Sequence, residues 1–311
     1  MAIRTTDDLL SKIKLKAFIP TAQTTFTDQE LLDIATEEMN GIIVPTILNA
    51  REEYYVYKDA SFTLDGTSNQ TFNIPFRATG MQLREISVTI GNTERNIPRY
   101  DIEDRIYDNV GGNIYGFDIT NNQINIKGNN SGTLNMYYYL RPGALVKSTD
   151  ARAVVSVDTD LNQIVVSNFP SSWTTSTTFD VIKFRPGFDH KSINLTVNTL
   201  DSGTGTITFN ESLPTEVWRA IETNDWLIEA EKSPVPQLPV EWQEYLAESV
   251  TAFIMESIGD AEGFARADKR KQELKKLALD SISPRIDGQS KKLVPRRNRG
   301  AYVYDSLFRD Y

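Results

Sequence analysis

The tripeptide Asp201-Ser202-Gly203 is the part of this sequence that most resembles an active-site motif. In aspartic proteases, two Asp carboxylates from such tripeptides share one proton. This chain has no second copy of the tripeptide, and Asp, Ser and Gly are also the residues that tight turns prefer. We therefore interpret it as a turn between two strands and predict no catalysis there.

Two other groups of oxygen-bearing side chains could bind a cation or act as paired acids. Asp158, Asp160 and Asn162 stand at alternate positions, as in calcium loops, but Gln163 occupies the place of the required Gly. We predict a hairpin loop there. The carboxylates within residues 99–105 could do glycosidase chemistry at the right separation, although a solvated or subunit-facing loop is the favoured interpretation.

The chain has one histidine, His190, and no cysteine. A single imidazole cannot complete a multi-histidine metal site, and any Ser-His-Asp arrangement would have to use this residue. We interpret His190 as an exposed loop residue. No Gly-rich segment ends in the Lys and Ser or Thr of a phosphate-binding loop. The sequence therefore predicts no cofactor, no metal and no enzymatic activity.

Two tyrosine-rich runs, at residues 54–57 and 137–139, could form flat surfaces on which sugars stack. Side chains alternate between the two faces of a strand, so only every second Tyr shares a face. Packing within a sheet is the favoured interpretation.

The charge of the chain is divided unequally. The 311 residues carry a net charge of −9, but residues 284–311, here called the arm, contain seven basic residues against three acidic ones. The acidic body repels nucleic acid, whereas Arg and Tyr are enriched at protein interfaces. We expect the arm to bind another subunit, with DNA contact and a solubilising tail as alternatives. Its predicted contact residues are Arg285, Lys291, Lys292, Arg296, Arg297, Arg299, Tyr302, Tyr304, Leu307, Phe308, Arg309 and Tyr311.

No apolar run approaches the roughly 20 residues that a membrane-spanning helix needs, and the first residues do not resemble a signal peptide. We expect a soluble protein that is made and kept inside cells, with no membrane contact.

Helical signals dominate residues 1–53. Thr6 and the two Asp after it resemble a helix start, and Thr27 with Glu30 has the spacing of a capping box. Gly41 and Pro45 are expected to kink or end the second helix.

Residues 54–232 have the alternating Val, Ile, Thr, Tyr and Phe pattern of β-strands. Asn121-Asn122 separates two such runs as a two-residue hairpin turn. A boundary near residues 149–152 would give subdomains at 54–150 and 151–232. Short matches 40 and 45 residues apart, Val157 with Val197 and Asp180 with Asp225, raise the question of a duplicated β unit.

Residues 233–239 contain closely spaced prolines, which predicts a stiff, extended linker. Residues 240–283 read as further helices. The apolar face of the first, predicted to line the bundle or a subunit contact, comprises Trp242, Tyr245, Leu246, Val250, Phe253 and Ile254. The predicted fold class is α+β: a small bundle of N- and C-terminal helices, a long antiparallel β insertion of sandwich or barrel type, in one or two subdomains, and an extended C-terminal arm.

Taken together, the ends of the chain resemble head-to-tail connector, or adaptor, proteins of tailed bacteriophages. The resemblance lies in FTDQELL at 26–32, REEYY at 51–55, the helix expected at 241–258 and the basic C-terminus. It is one of arrangement, without signature residues.

This resemblance implies a structural virion protein of the neck, made in the host cytoplasm. It implies a homo-oligomeric ring of about twelve copies beneath the portal protein, linking the capsid vertex to the tail or to further neck proteins. The arm would dock in the portal, and the acidic channel lining would let DNA pass with only transient, non-specific contact. A receptor- or glycan-binding tail component and a carbohydrate-active enzyme on the acidic β loops are the alternative classes.

Overall fold

The structure is a computed structural model that describes residues 4–19, 26–67, 69–99, 116–128, 131–185, 187–210 and 220–282. The arm lies outside the described residues. So do Asp101, Glu103 and Asp104, the carboxylates predicted for a solvated loop.

The helices come from both ends of the chain and pack together. They are α1 (Thr6–Lys16), α2 (Asp28–Glu38), a π-helix (Met39–Ile43), α3 (Val44–Ala50), α4 (Val240–Ser257) and α5 (Ala261–Ile282). One apolar core joins them, with Leu9 and Ile13 of α1, Leu31 of α2 and Leu246 and Val250 of α4 all completely buried. This confirms the predicted α+β fold with a helical bundle built from the two ends.

Side-chain caps fix where the first two helices begin. In α2, the Glu30 N–H donates to Thr27 Oγ1 at 3.2 Å, and the Thr27 N–H donates to Glu30 Oε2 at 2.6 Å. This is the predicted capping box. In α1 the cap is Thr5, paired with Asp8 and one residue earlier than the predicted start.

The helix after Thr27 changes its winding where a kink or end was expected. Met39–Ile43 forms a π-helix whose ends, Met39 and Ile43, are buried. Pro45 is the second residue of α3, directly after this π-helix. The chain therefore continues as helix through Ala50.

The strands occupy most of the described residues between Val56 and Ser233. They are β1 (Val56–Asp65), β2 (Gln70–Asn73), β3 (Ala78–Ile90), β4 (Thr93–Asn96), β5 (Gly116–Thr120), β6 (Gln123–Lys127), β7 (Ser131–Leu140), β8 (Ala144–Leu145), β9 (Arg152–Asp158), β10 (Gln163–Val166), β11 (Thr178–Ile182), β12 (His190–Asp201), β13 (Thr206–Phe209), β14 (Trp226–Glu229) and β15 (Lys232–Ser233).

The first β unit comprises β1 to β7. Its four-stranded sheet has the order β1-β7-β3-β4, and a three-stranded sheet has the order β2-β6-β5. The two sheets enclose a core that includes Ile86, Ile124 and Met136. Asn121 and Asn122, with φ of 53° and 60°, make the predicted two-residue turn between β5 and β6.

The second β unit is a closed antiparallel barrel with the order β10-β13-β12-β11-β14-β9. If β9 is exchanged with β12, β10 with β13 and β11 with β14, the same circular order of strands results. The pairing registers agree, because Ile164 pairs with Val157 as Ile207 pairs with Leu200. Ile164 and Ile207 also face each other across β10 and β13. The barrel therefore has an internal two-fold pattern of the kind that duplication produces.

The short sequence matches that raised the question of duplication are out of register with this pattern. The structural counterpart of Val157 is Leu200 rather than Val197. In the pairing of β11 with β14, Asp180 lies opposite Ile228. The two-fold exchange of β11 with β14 interchanges these two residues, so the structural counterpart of Asp180 is Ile228 rather than Asp225. The two matches were chance similarities between strand sequences.

Residues 233–239 are buried throughout, although the prolines predict a linker. Gln237 shows how the segment is held: its Oε1 accepts from the Gly143 N–H at 2.7 Å, and its carbonyl accepts from Tyr55 Oη at 3.1 Å. The segment is extended, as predicted. It lies in the interior between the bundle and the β units.

Within the described parts of the chain, none of the helices has the length and apolar character needed to cross a lipid bilayer.

The capping box can be tested by Thr27→Ala. Loss of the cap is expected to lower the free energy of unfolding by about 1 kcal/mol, measured by chemical denaturation. Thr46→Ala is the matched control, because Thr46 Oγ1 only donates back to the Ile42 carbonyl within the helix. Equal effects of the two substitutions would contradict the assigned cap.

Candidate functional site

The predicted subunit face on α4 lies mostly inside the chain's own bundle. Trp242, Leu246 and Val250 are completely buried, and Tyr245 and Ile254 are nearly so. Phe253 alone of the predicted set is open, with 43% of its surface exposed. The face therefore builds the bundle, and only Phe253 is available to a neighbouring subunit.

Ion pairs fasten α1 to α4 beside this core. Lys12 pairs with Glu244, and Lys16 pairs with both Glu244 and Glu248. Burial lowers the pKa of Lys16, but hydrogen bonds and charge from the two glutamates outweigh it and leave the pKa raised. Burial alone would raise the pKa of Glu244. The hydrogen bonds and charges of Lys12 and Lys16 outweigh burial and leave the pKa of Glu244 lowered. The pairs hold the two helices side by side in the same direction.

Asp28, the first residue of α2, links three parts of the chain. Its carboxylate pairs with Lys14 of α1 and, at 2.9 Å, with Lys147, which follows β8. The hydrogen bonds from Lys14 and Lys147 lower the pKa of Asp28. This contact attaches the bundle to the chain between the two β units.

A buried ion pair joins the first β unit to the barrel. Nη1 of Arg77, in the turn before β3, lies 2.7 Å and 3.0 Å from the two carboxylate oxygens of Asp180 on β11. Arg77 is 5% exposed and Asp180 is completely buried. Backbone N–H groups of Asn194 and Glu231 also donate to Asp180. Burial raises the pKa of Asp180, and the charge and hydrogen bonds of its partners oppose this rise.

His190 lies next to this pair, and the prediction of an exposed loop residue was wrong. It begins β12, is buried, and its Nε2 lies 2.6 Å from Nε2 of Gln237. Burial, followed by the nearby charge of Arg77, lowers the pKa of His190 to about 3. The imidazole is therefore neutral at ordinary pH. It fixes the segment 233–239 against β12.

Both turn motifs behave as turns. Asp201 accepts from the Gly203 N–H at 2.9 Å and from Thr204 Oγ1 at 2.8 Å, and these bonds, that of Thr204 first, lower its pKa. Asp158 accepts from the backbone N–H groups of Asp160 and Leu161 in the β9–β10 hairpin. The carboxylates are thus used for loop geometry, as the sequence predicts.

The triplet 137–139 alternates as expected for a strand. Tyr138 is completely buried, while Tyr137 and Tyr139 are partly exposed. Tyr137 donates to Glu94 at 2.8 Å, and the Lys58 ammonium lies 5.4 Å from the centre of its ring. Tyr139 donates to Glu52. These contacts support sheet packing, and the ring of Tyr137 is not free for a stacked sugar.

Glu94 of β4 is the centre of a polar network across the four-stranded sheet. Its carboxylate accepts from Ser87, Asn135 and Tyr137, and from Lys58 at 3.0 Å. These hydrogen bonds, that of Ser87 first, lower the pKa of Glu94 to about 2. The network holds the short edge strand β4 on the sheet.

The roles of Arg77, Asp180 and Glu94 were not predicted from the sequence. Buried or clustered charges come from distant parts of the chain, and a single sequence gives no signal for their pairing. Among the described residues, no group of three or more His, Asp or Glu side chains is placed to hold a metal ion.

Comparison with known proteins does not assign the chain to a family. No protein-family model matches it, and no curated protein is significantly similar to it in sequence.

The Arg77–Asp180 pair can be tested by Asp180→Asn. Removing one charge leaves the Arg77 guanidinium buried and uncompensated, so we expect the free energy of unfolding to fall by about 3–5 kcal/mol in chemical denaturation. Lys232→Gln is the control, because it breaks the more exposed pair with Glu229 and should cost under about 1 kcal/mol. A loss as small as the control's would show that the pair does not hold the β units together.

Glu94 predicts a specific dependence of stability on pH. Because its folded-state pKa of about 2 lies below the usual glutamate value of 4.5, its ionised form stabilises the fold above pH 4.5, and this contribution is lost as the pH falls towards 2. Thermal unfolding of the parent chain and of Glu94→Gln should therefore differ near pH 7 and converge near pH 2. A difference independent of pH would contradict this role of the charge.

Proposed function

We propose that this protein is a structural subunit of a tailed-phage neck: a head-to-tail adaptor that forms a ring beneath the portal. The observation that carries the proposal is the bundle itself. The helices flanking the β region pack on one core, and α5 ends at Ile282, directly before the basic and aromatic arm. A docking segment attached to such a bundle transmits force to a rigid body.

Connections within the body suit a load-bearing subunit. The bundle is tied to the β region by Asp28 with Lys147 and by the buried segment 233–239. The two β units are tied to each other by Arg77 with Asp180. A pull on the bundle would therefore reach both β units through buried or partly buried polar contacts.

The charge distribution also supports an adaptor. The body is strongly acidic and the arm is basic, so the body repels DNA while the arm is attracted to acidic surfaces. The aromatic residues of the arm favour a protein groove over a nucleic acid as its destination. The proposed partners are further copies of the chain, the portal protein and the next protein of the tail or neck.

Deletion of residues 284–311 tests this function. The truncated chain should keep its circular dichroism spectrum and thermal midpoint, because the deletion removes none of the residues that form the described bundle core. It should lose co-assembly with the portal protein of the same virion. Negative-stain images of the full chain with portal are expected to show a ring of about twelve copies. Unchanged co-assembly of the truncated chain, or the absence of a ring, would overturn the proposal.

Two matched variants of the arm separate protein docking from DNA contact. Replacing Tyr302, Tyr304 and Phe308 with Ser should abolish portal binding, since large apolar side chains dominate protein hot spots. Replacing Arg296, Arg297 and Arg299 with Gln should chiefly reduce salt-dependent DNA affinity. The reverse outcome would assign the arm to DNA.

A further inference from the structure

A row of acidic side chains, here called the acidic row, lies on the outer face of α2. Glu30, Asp33 and Glu37 are all exposed, and spacings of three and four residues place them on one side of the helix. No Lys or Arg occurs in the sequence between Lys16 and Arg51. None of the three carboxylates forms an ion pair with a described residue. The chain itself therefore leaves the charge of this row uncompensated.

The outer face of α5 has an excess of basic side chains. Residues 265–279 contain six basic and two acidic residues, in a chain of net charge −9. Both acids are paired within the helix, Asp268 with Lys271 and Glu273 with Arg270. The bases that form no ion pair with a described residue are Arg266, Lys269, Lys275 and Lys276. The uncompensated charge of this segment is therefore positive.

Part of this face repeats the spacing of the acidic row. Lys269, Gln272 and Lys276, here called the basic row, are exposed and lie three and four residues apart on α5. Helices rise about 1.5 Å per residue, so the end charges of each row are separated by about 10.5 Å. Side by side, the rows place a base opposite each end carboxylate and an amide opposite the central one. The match holds in either direction, because each row has like charges at both ends.

The two rows do not meet within one chain. Both α2 and α5 pack on α4 through buried apolar residues, among them Leu31 of α2 and Leu274 of α5. Each row lies on the exposed side of its helix. A second copy of the chain can supply the complementary row.

An exposed apolar side chain follows each row. Ile42, in the π-helix that continues α2, is 43% exposed, and Leu277, next to Lys276, is 63% exposed. Exposed ion pairs add little affinity by themselves, and their complementarity chiefly selects the partner and speeds the encounter. Burial of the two apolar side chains adds attraction that does not depend on charge.

We infer that the acidic row of α2 binds the basic row of α5 in a second copy of this chain. The contact uses different surfaces on the two copies, so each end of the pair keeps one row for a further neighbour. Such a contact closes into a ring when the rotation between copies allows it. The inference deepens the proposed adaptor function and rests on it for the closure of the ring.

Sedimentation velocity of the full chain, without a portal protein, tests this contact. The parent chain should associate at low salt and dissociate at about 0.5 M salt, because salt screens exposed charges. Glu37→Lys should weaken association by about tenfold, since it replaces an attraction with a repulsion. A second substitution should restore association: Lys276→Glu if the two helices run parallel, and Lys269→Glu if they run antiparallel.

Glu37→Lys combined with Arg84→Glu is the matched control. Arg84 is an exposed base on β3, outside both rows, so its reversal restores the net charge of the chain without restoring the contact. Association should therefore stay weak, and circular dichroism should show that every variant is folded.

The inference is overturned if the parent chain stays monomeric at low salt or if Glu37→Lys associates as well as the parent. It is also overturned if neither Lys substitution restores association, or if Arg84→Glu restores it equally well. The adaptor function is decided separately by deletion of the arm. A ring that forms with the portal and is unaffected by Glu37→Lys would leave that function standing and remove this inference.

Discussion

The architecture depends on a charge pair buried between the first β unit and the barrel. Arg77 and Asp180 would each be expensive to bury alone, so the first β unit and the barrel must stay in one relative position for both charges to be compensated. Backbone donors from Asn194 and Glu231 reinforce that position. The pair therefore acts as a constraint on geometry, since well-packed apolar residues could supply equal stability without fixing the same register.

The buried segment 233–239 places the same constraint on the helices. Through Gln237 it contacts Gly143 before β8, Tyr55 at the end of a 3₁₀ turn (Glu52–Tyr55), and His190 of β12. One extended segment thus contacts the bundle, the barrel and the chain between the two β units before α4 begins. Closely spaced prolines suit this place, because an extended backbone with few N–H groups has fewer donors to satisfy in the interior.

Local signals in the sequence predicted local structure well. The Thr27 and Glu30 capping box, the Asn121-Asn122 turn and the Asp201 turn depend on neighbours within a few residues, and all three form. Long-range contacts were not predictable. Nothing near His190 indicates that Gln237 will cover it, and the apolar face of α4 looks the same whether its partner is α1 or another subunit. Helical periodicity identifies a face that must be buried, but it does not identify what buries it.

The two-fold pattern of the barrel explains why Asp180 is placed to bind the first β unit. Phe179, Val181 and Leu227 face the barrel core, so Asp180 and Ile228, at the central pair of β11 and β14, face outwards. Ile228 packs with Val146 and Val235, whereas Asp180 binds Arg77. Equivalent positions of the two strands thus attach the barrel to the rest of the molecule in two ways: Ile228 by apolar contact and Asp180 by an ion pair.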